Sequence, residues 1–461
     1  MREIAGNEAI DQDRLDAYLA AEGLDALRQS HPNLFAAAPV FVSPAEVMAV
    51  ARLVAAIEAA IALPSYRNAA LANAPGLARR DPGYPAVCMG YDFHLTPEGP
   101  KLIEINTNAG GLLLNALLAR SQGENDGEVE RETLAMFQTV WGERTPRRLV
   151  IVDSDPARQY LAPEFHLFCR RFAALGIDAR IADPAELTWD GEHLRHAREI
   201  VDMVYDRLTD FALAAPEHAA LAAAYRANAV ILTPHPHAHA LYADKRNLCL
   251  LSDPGWLLRE GLAADLCQTL QAGVPPARLV RAEDAESLWQ TRKRRFFKLV
   301  DGFGGRAAYR GNKLSHRAFG EILKGRYIAQ DFVPPATCRF TPPGADAAQE
   351  WKFDLRAYVF EGRIQLFAAR LYQGQITNMR TPGGGFALVK ETEDGGQIRC
   401  QETENREFTG GFAATAWLLD CRGASPLAFD GEERVIARAA RLGTHLAPSL
   451  RGAKRRSDPD A

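Results

Sequence analysis

One short stretch near residue 100 constrains the fold of this chain more than any other. Apolar and polar residues alternate on both sides of a turn at residues 96–100, which predicts two antiparallel strands joined as a hairpin. Glu104 and Asn106 on the second strand then share a face, and Asp92 on the first strand can lie opposite them. Oxygen ligands without His or Cys suit a hard cation such as Mg²⁺, often completed by phosphate. The hairpin thus indicates a nucleotide-metal site, or else ordinary exposed polar residues.

Composition limits the classes of protein to which the chain can belong. At 461 residues it is too long for one simple core, so two or three lobes are expected. A formal net charge of −4 gives no bulk reason to expect nucleic acid or a membrane as partner. Seven scattered cysteines without a C-x-x-C spacing argue against a disulfide framework or zinc site. With no apolar signal core and no membrane-length apolar run, the sequence predicts a cytoplasmic protein.

Local patterns divide the chain into four regions. Residues 1–145 form a helical N-terminal region that includes the hairpin. Residues 146–240 form a small doubly wound α/β domain, with strands at 149–153, 178–181 and 200–205 and a helix at 165–175. Residues 241–450 form further α/β lobes, and the charged tail at 451–461 is expected to be disordered.

Three further segments have a composition that could bind a ligand. His235, His237 and His239 alternate and could bind a transition metal, but the interleaved prolines favour a linker. Three glycines within residues 302–305 let backbone N–H groups surround an anion, although no Walker A sequence follows. The strand at 327–333 ends at two prolines, where ladder pairing stops and backbone groups become available to a ligand.

The order of these motifs resembles the circularly permuted branch of the ATP-grasp superfamily, of which glutathionylspermidine synthetase is the best-known type. That branch shows an Asp, a Glu twelve residues later and an Asn two further, before the lysines of the nucleotide site. Asp92, Glu104 and Asn106 reproduce this spacing. The resemblance covers roughly residues 90–115 and 241–389. It implies a permuted α/β fold with α+β lobes, in which 146–240 is a pre-ATP-grasp-like domain and 241–450 binds the nucleotide.

The resemblance also implies roles for individual residues. Asp92, Glu104 and Asn106 would bind two Mg²⁺ ions. Arg370 would face the transferred phosphate, with Arg356 as a weaker candidate. The residues that would bind ATP are Lys245, Lys298, the phosphate loop of Gly302, Gly304 and Gly305, and the hinge of Gln330, Asp331, Phe332 and Val333. Lys298 would also belong to the catalytic set with both arginines.

The chain departs from the family pattern in two ways. Gly90 stands where an Arg is expected two positions before the metal Asp, so phosphate charge must be neutralised from elsewhere, by Arg356 or Arg207. The amidase domain of glutathionylspermidine synthetase is absent, and the substrate region does not match. The resemblance therefore implies the ATP chemistry and leaves the substrates open.

The implied activity is that of an ATP-dependent carboxylate–amine ligase. It would form an amide from a small-molecule carboxylate and an amine through an acylphosphate, releasing ADP and phosphate. Backbone N–H groups of Asn108, Gly110 and Gly111 follow the metal strand and could hold an anionic oxygen, or the glycines could serve only the packing of the next helix. A small-molecule kinase and a catalytically silent nucleotide-binding module remain alternatives.

Overall fold

Helices dominate the first third of the chain in the computed structural model, which describes residues 2–3, 9–302, 307–342, 346–375, 377–379 and 381–392. The longest helix starts where Ser43 accepts a hydrogen bond from the backbone N–H of Glu46 and Glu46 accepts one in return, a capping box. The elements in chain order are β1 (Arg2–Glu3), α1 (Gln12–Ala21), α2 (Leu27–Ser30), β2 (Val40–Val42), α3 (Pro44–Ala62), α4 (Pro64–Ala72), β3 (Met89–Thr96), β4 (Gly99–Asn106), α5 (Leu112–Ser121) and α6 (Glu128–Trp141).

The second region contains a parallel sheet in which strands pair in the order β11, β10, β5, β6. A separate antiparallel sheet of β7, β8 and β9 follows the strand β6. The elements are β5 (Arg148–Val152), α7 (Ala162–Ala173), β6 (Asp178–Ala182), β7 (Leu187–Trp189), β8 (Leu194–His196), β9 (Glu199–Ile200), β10 (Met203–Asp206), α8 (Ala219–Ala227), β11 (Ile231–Thr233), α9 (Pro236–Ala238) and a π-helical turn (His239–Ala243).

The third region contributes a four-stranded antiparallel sheet, in the order β12, β15, β13, β14, and the long strands of the largest sheet. Its elements are α10 (Asn247–Leu251), α11 (Pro254–Arg259), α12 (Ala264–Gly273), β12 (Ala277–Leu279), α13 (Ala285–Thr291), β13 (Arg295–Leu299), β14 (Ala308–Arg310), α14 (His316–Lys324), β15 (Tyr327–Asp331), β16 (Ala336–Phe340), β17 (Gln349–Phe360), β18 (Arg363–Tyr372) and β19 (Gly385–Glu391).

The eight-stranded sheet is organised around β17. The first half of β17 pairs with β16 and its second half with β3, while β18 runs along its other edge. Because side chains alternate along a strand, Leu355 and Ala357 pack into the core formed with α3 and α12. Tyr358 and Phe360 pack into the core formed with α5 and α6 on the opposite face. Asp354 and Arg356 share the periodicity of Tyr358, so β17 carries its charges on one face.

Most element predictions are confirmed and two are wrong. The hairpin of residues 92–106 and the strand-helix-strand unit at β5, α7 and β6 are present as predicted. The predicted strand at 200–205 is divided, because residues 201–202 separate β9 from β10. The linker predicted at 234–239 is instead the start of α9 and the π-helical turn, with His235 and His237 buried.

Some expectations lie outside the described residues. Phe303, Gly304, Gly305 and the tail at 451–461 are among them. All described residues belong to one of the chain's two compact units, Met1–Glu404. Within the described residues no single helix is both long and apolar enough to cross a membrane; α3 and α4 reach that length and apolarity only as a pair bent by 76°. The four-region division, the circular permutation and the cytoplasmic location stay predictions.

Candidate active site

Four neighbouring strands bring the predicted metal and arginine residues together. Glu104 on β4 is the cross-strand partner of Asp92 on β3. Asp92 is in turn the partner of Arg356 on β17, and Asp354, two residues earlier on β17, is the partner of Arg370 on β18. Cross-strand partners have Cβ atoms only about 5 Å apart, so the register brings each arginine against an aspartate and also places the like charges of Asp92 and Glu104 side by side.

Asp92 is the most heavily hydrogen-bonded side chain of this group, with 2% of its surface exposed. Its carboxylate accepts two parallel hydrogen bonds from Arg356, Nε to Oδ1 at 2.7 Å and Nη2 to Oδ2 at 2.8 Å. Oδ2 also accepts from Arg370 Nη2 at 2.9 Å and from the amide nitrogen of Asn106 at 3.1 Å. Burial alone would raise the pKa of Asp92, but both guanidinium charges outweigh it and lower the pKa to about 2.

The missing arginine at position 90 has a structural explanation. A Cβ atom at Gly90 would lie 2.6 Å from the Cβ of Ala109 and 3.1 Å from Arg356 Nε. Arg356 therefore occupies the space beside Gly90 and brings its guanidinium to Asp92 from the neighbouring strand. Arg207, the other candidate for the charge, lies instead against Gly110, where a Cβ would be 2.8 Å from its Nη2.

The two predicted nucleotide lysines converge on the same hairpin from the third region. Lys245 Nζ lies 3.8 Å from a carboxylate oxygen of Glu104 and donates to the backbone carbonyl of Gly302. Lys298 Nζ donates to the backbone carbonyl of Ile103 at 2.6 Å. Burial would raise the pKa of Glu104, but the charges of Lys245 and Lys298 hold it below its ordinary value. The ammonium groups of Lys245 and Lys298 thus lie close to the carboxylate of Glu104 at the hairpin.

Lys298 is the more unusual of the two lysines, because only 5% of its surface is exposed. Burial, together with the nearby charge of Lys245, lowers its pKa to about 8, although Glu104 opposes this shift. A buried ammonium group with one backbone acceptor has two N–H donors left for further acceptors. Phosphate oxygens would supply such acceptors.

Of the three predicted metal ligands, Glu104 and Asn106 have oxygen atoms that could bind a hard cation, whereas those of Asp92 are already engaged. Glu104 is half-buried, and the amide nitrogen of Asn106 is turned to Asp92, which leaves the carbonyl oxygen of Asn106 for other contacts. Both oxygens of Asp92 already accept hydrogen bonds, so Asp92 would share them between a cation and the two arginines. Carboxylate and amide oxygens are the ligands Mg²⁺ prefers.

The predicted hinge lies at the end of β15, beside the hairpin. Gln330 is buried and donates to the carbonyl of Leu102 at 3.5 Å. The N–H groups of Asp331 and Phe332 donate to backbone carbonyls of Pro276 and Arg294. Asp331 also pairs with Arg295. Protein groups thus already engage part of this backbone, and the binding of ATP by the hinge stays a prediction.

A histidine and an arginine complete the surroundings of the hinge. The Nδ1 of His94 donates to the carbonyl of Val333 at 2.9 Å. Burial lowers the pKa of His94 below its ordinary value, which favours the neutral ring. The guanidinium of Arg310 lies 4.2 Å from the ring centroid of Phe332, a distance typical of cation–π contacts.

A protein carboxylate occupies the loop between β4 and α5. Glu164 of α7 accepts from the N–H of Gly111 at 2.7 Å and from the N–H of Leu113 at 2.9 Å. It thereby caps α5, since the first N–H groups of a helix have no partner within the helix. The carbonyl of Gly110 accepts from the hydroxyl of Tyr358, and Asn108 donates to the carbonyl of Leu208. Of the three residues predicted to hold an anion, Gly111 already donates its N–H group to Glu164, and the roles of Asn108 and Gly110 stay predictions.

Sequence reasoning did not identify two charged members of the site. Asp354 is buried and accepts from Arg370 Nε at 2.7 Å and from the hydroxyl of Thr377. Its signal was an acidic residue two positions before Arg356, and therefore on the same face of the predicted strand. Glu164 gave no local signal, because its partners lie more than 50 positions away in the sequence.

Comparison with known proteins supports the fold. No protein-family model matches the chain, and no curated protein matches it. A glutathione synthetase-like effector from Globodera pallida, solved without ligand, is 13% identical, with 83% of this chain and 97% of the effector covered at a TM-score of 0.51.

Two further solved structures superpose less well. A putative γ-glutamylcysteine synthetase from Methylobacillus flagellatus is 12% identical, with 78% of this chain and 91% of that chain covered at a TM-score of 0.47. PsnB, an ATP-grasp ligase solved with a precursor, Mg and ADP, is 13% identical, with 52% and 88% covered at 0.27. Only the effector supports a conclusion about fold, and that conclusion agrees with the fold class predicted from the sequence.

Proposed function

We infer that this chain, which has the ATP-grasp fold predicted from its sequence and shared with a glutathione synthetase-like effector, is an ATP-dependent carboxylate–amine ligase. One observation carries the proposal. Glu104, next to the arginine-bound Asp92, faces Lys245 and Lys298, which come from a separate part of the chain. Carboxylates for a cation and ammonium groups for phosphates are thus available at one place, as binding of a metal–triphosphate requires.

The residues of this site would act mainly by holding charge. Glu104 and Asn106, with Asp92, would hold Mg²⁺, which neutralises and bridges phosphate oxygens when bound. Lys298 and Lys245 would bind phosphate oxygens, because their ammonium groups lie beside the same hairpin. Arg370, fixed by Asp354 on one side and Asp92 on the other, would hold its guanidinium still as charge develops on the transferred phosphate.

Electrostatic stabilisation of this kind suits formation of an acylphosphate. The carboxylate oxygen of the substrate attacks the γ-phosphorus, the bond from that phosphorus to the β–γ bridging oxygen breaks, and ADP leaves. The amine nitrogen then attacks the acyl carbon, and phosphate leaves with the bonding electron pair. No nucleophilic side chain is required, since positioning and charge stabilisation provide most of the catalysis in phosphoryl transfer.

A trapping assay tests the proposal whatever the natural amine is, because hydroxylamine takes its place. The protein is incubated with ATP, Mg²⁺, hydroxylamine and pools of small carboxylic acids, and ADP and hydroxamates are measured. A ligase is expected to release ADP only with a suitable acid and to yield its hydroxamate. A stable phosphorylated product would instead support a kinase. ATP binding without turnover across all pools would support a silent module.

Two variants of the same hairpin sharpen this assay. Glu104→Gln removes the negative charge that faces both lysines and is expected to lower turnover by about 100-fold or more. Glu98→Gln changes an exposed carboxylate in the turn of the same hairpin and should leave turnover unchanged. Equal turnover of both variants would contradict the proposed site.

A further inference from the structure

A recess opens where the parallel sheet meets the end of the metal strand. It has room for about one water-sized group, the size of an ammonium head, within about 210 Å³ of empty space that includes open solvent. Its walls come from residues after β4, from the carboxyl end of β10 and from the segment after β11. Ligands of open α/β sheets bind outside the carboxyl ends of the strands, so the location is suited to a substrate. Among its described lining residues, Asn108 alone belongs to the predicted site, as a tentative substrate residue.

Asp206 is the only acidic side chain among the described residues of the lining, and only 7% of its surface is exposed. Its Oδ1 accepts from the N–H of Leu208 at 2.9 Å, and within the described ranges it forms no ion pair. Arg207, the next residue, directs Nη1 to the hydroxyl of Tyr205 at 3.3 Å. A buried carboxylate without a cation is costly, so a positively charged ligand would complete this site.

Two further polar groups of the recess can accept hydrogen bonds. The amide nitrogen of Asn108 donates to the carbonyl of Leu208, which leaves its carbonyl oxygen for a ligand. His239 stacks on Phe211 with centroids 3.8 Å apart, and its buried Nδ1 has no hydrogen-bond partner among the described residues. Burial lowers the pKa of His239 to about 3, so the ring is neutral. Acceptors beside an aromatic ring match an ammonium group, which carries three donors and no acceptor.

We propose that this recess binds the primary ammonium group of the amine substrate, with the carboxylate of Asp206 as its counter-ion. The inference rests on the proposed function, which requires an amine close to the acylphosphate. Asn106 of the metal set and Asn108 of the recess are two residues apart, so their Cα atoms lie within about 7 Å. An amine held in the recess would therefore lie close to the proposed phosphate site.

The surroundings of Asp206 raise its pKa, so binding of a cation should be linked to release of a proton from this side chain. Burial raises the pKa of Asp206 to about 8; Asp153 after β5 and Asp210 add to the rise, and Arg207 opposes it. The other titratable lining groups, His235 and His239, are neutral, because burial lowers the pKa of His235 to about 4 as well. A bound cation favours the ionised carboxylate, so binding at pH 7 releases a proton.

Titration calorimetry with methylammonium chloride tests the inference on the full-length protein. We expect saturable binding at millimolar concentrations, with proton release detected as a difference in heat between phosphate and MOPS buffers at pH 7. Affinity should rise by up to about tenfold per pH unit below pH 8. Tetramethylammonium, which has no N–H donor, should bind at least about tenfold more weakly. No saturable binding of methylammonium, or equal binding of the two cations, would overturn the inference.

Two variants at the same edge of the sheet assign the effect to one carboxylate. Asp206→Asn should weaken methylammonium binding about tenfold or more and abolish proton release. Asp153→Asn, which alters a neighbouring carboxylate outside the recess, should bind within about threefold of the unmodified protein. Binding by Asp206→Asn that equals that of the unmodified protein refutes the assignment. If the asparagine variant folds poorly, Asp206→Glu serves as the second test. It keeps the negative charge and should therefore retain part of the affinity for methylammonium.

Nucleotide binding, measured on the same samples, separates the two proposals. If the protein binds a fluorescent ATP analogue but not methylammonium, the recess assignment fails and the ligase proposal stands. If it binds no nucleotide with Mg²⁺, the proposed function fails and the assignment of the ammonium to a ligase substrate fails with it.

Discussion

Gly90 and Arg356 depend on each other, because the arginine side chain fills the space that a residue other than glycine would need. Gly90→Ala would bring a methyl group to 2.6 Å from Ala109 and 3.1 Å from Arg356 Nε. We expect this variant to lose about 1–3 kcal/mol of unfolding free energy, the usual cost of overpacking, as measured by urea denaturation.

A second glycine provides the control for this experiment. Gly320 in α14 has no atom within 4 Å of an added Cβ, so Gly320→Ala should be neutral or stabilising by up to about 1 kcal/mol. If Gly90→Ala were as stable as Gly320→Ala, Arg356 would not fill the space beside Gly90. The explanation that Arg356 replaces the arginine expected at position 90 would then be wrong.

Lys298 gives the chain a predictable dependence of stability on pH. Its pKa is about 8 in the folded protein and near 10.4 in the unfolded chain, so the unfolded chain holds more protons between these values. Stability contributed by this residue therefore rises as the pH increases from about 8 to about 10.4, by at most about 3 kcal/mol. Urea denaturation of the protein and of Lys298→Met, at intervals across this pH range, measures the difference.

An exposed lysine of the same region checks that the effect belongs to Lys298. Lys313→Met should follow the same pH dependence as the unmodified protein, because Lys313 lies on the surface. Identical pH profiles for Lys298→Met and the unmodified protein would show that the ammonium of Lys298 is not buried in solution.

At the level of single residues, the sequence revealed what is encoded locally. Asp92, Glu104 and Asn106 could be predicted to lie close together because a short turn joins their two strands. The exact pairing could not be predicted, because the turn alone would place Asp92 opposite Ile103 and a bulge between Asp92 and Phe93 brings it opposite Glu104. Asp354 could not, because its importance arises from Arg370 on the neighbouring strand and from Thr377 beyond it. The explanation of Gly90 likewise required the packing of Arg356, which lies 264 positions from its partner Asp92.

At the level of elements, the N-terminus of α5 shows that N–H groups predicted to bind a ligand can instead be paired with a side chain of the protein itself. The N–H groups of Gly111 and Leu113 bind the carboxylate of Glu164, and of these two only Gly111 belonged to the predicted set. The sequence could not distinguish a substrate anion from a side chain of α7. The same limit applies to residues 234–239, where prolines predicted a linker and tertiary packing formed α9 instead.

Removal of Glu164 should expose these N–H groups to solution. Glu164→Ala leaves the N–H groups of Gly111 and Leu113 unpaired and removes a carboxylate near Arg207, so we expect a loss of about 1–3 kcal/mol of unfolding free energy. Acetate should restore part of this stability when thermal unfolding is measured in sodium acetate and in sodium chloride at equal ionic strength. The unmodified protein should unfold at the same temperature in both salts. If acetate has no specific effect on the variant, the cavity left by Glu164 does not admit an anion.

At the scale of the whole molecule, the hairpin connects parts of the chain that are distant in sequence. Lys298 reaches the carbonyl of Ile103 across 195 positions, and Gln330 reaches Leu102 across 228. Fold class could be predicted because strands, helices and turns are each marked by local patterns. The pairing of β17 with β3 could not be derived in the same way, since a local pattern does not specify which distant strand is the partner.

These long-range contacts imply that nucleotide binding should stabilise the whole described unit. A ligand that binds only the folded state, at about 100 times its Kd, stabilises it by about 2.7 kcal/mol. We therefore expect ATP with Mg²⁺ to raise the Tm by several degrees in scanning calorimetry. ATP with EDTA should raise it less, because Glu104 and Asn106 would then lack the cation that joins them to the phosphates.

The lysine variants decide whether this stabilisation arises at the proposed site. Lys245→Met should lose most of the rise in Tm caused by ATP and Mg²⁺, because the ammonium group of Lys245 lies 3.8 Å from Glu104 at the hairpin. Lys313→Met should keep the full rise, since it alters an exposed lysine elsewhere in the same region. An equal rise for both variants would place the nucleotide away from the hairpin. In that case the chain would share the fold without having its nucleotide site at the hairpin, and the hairpin contacts would serve only to hold distant segments together.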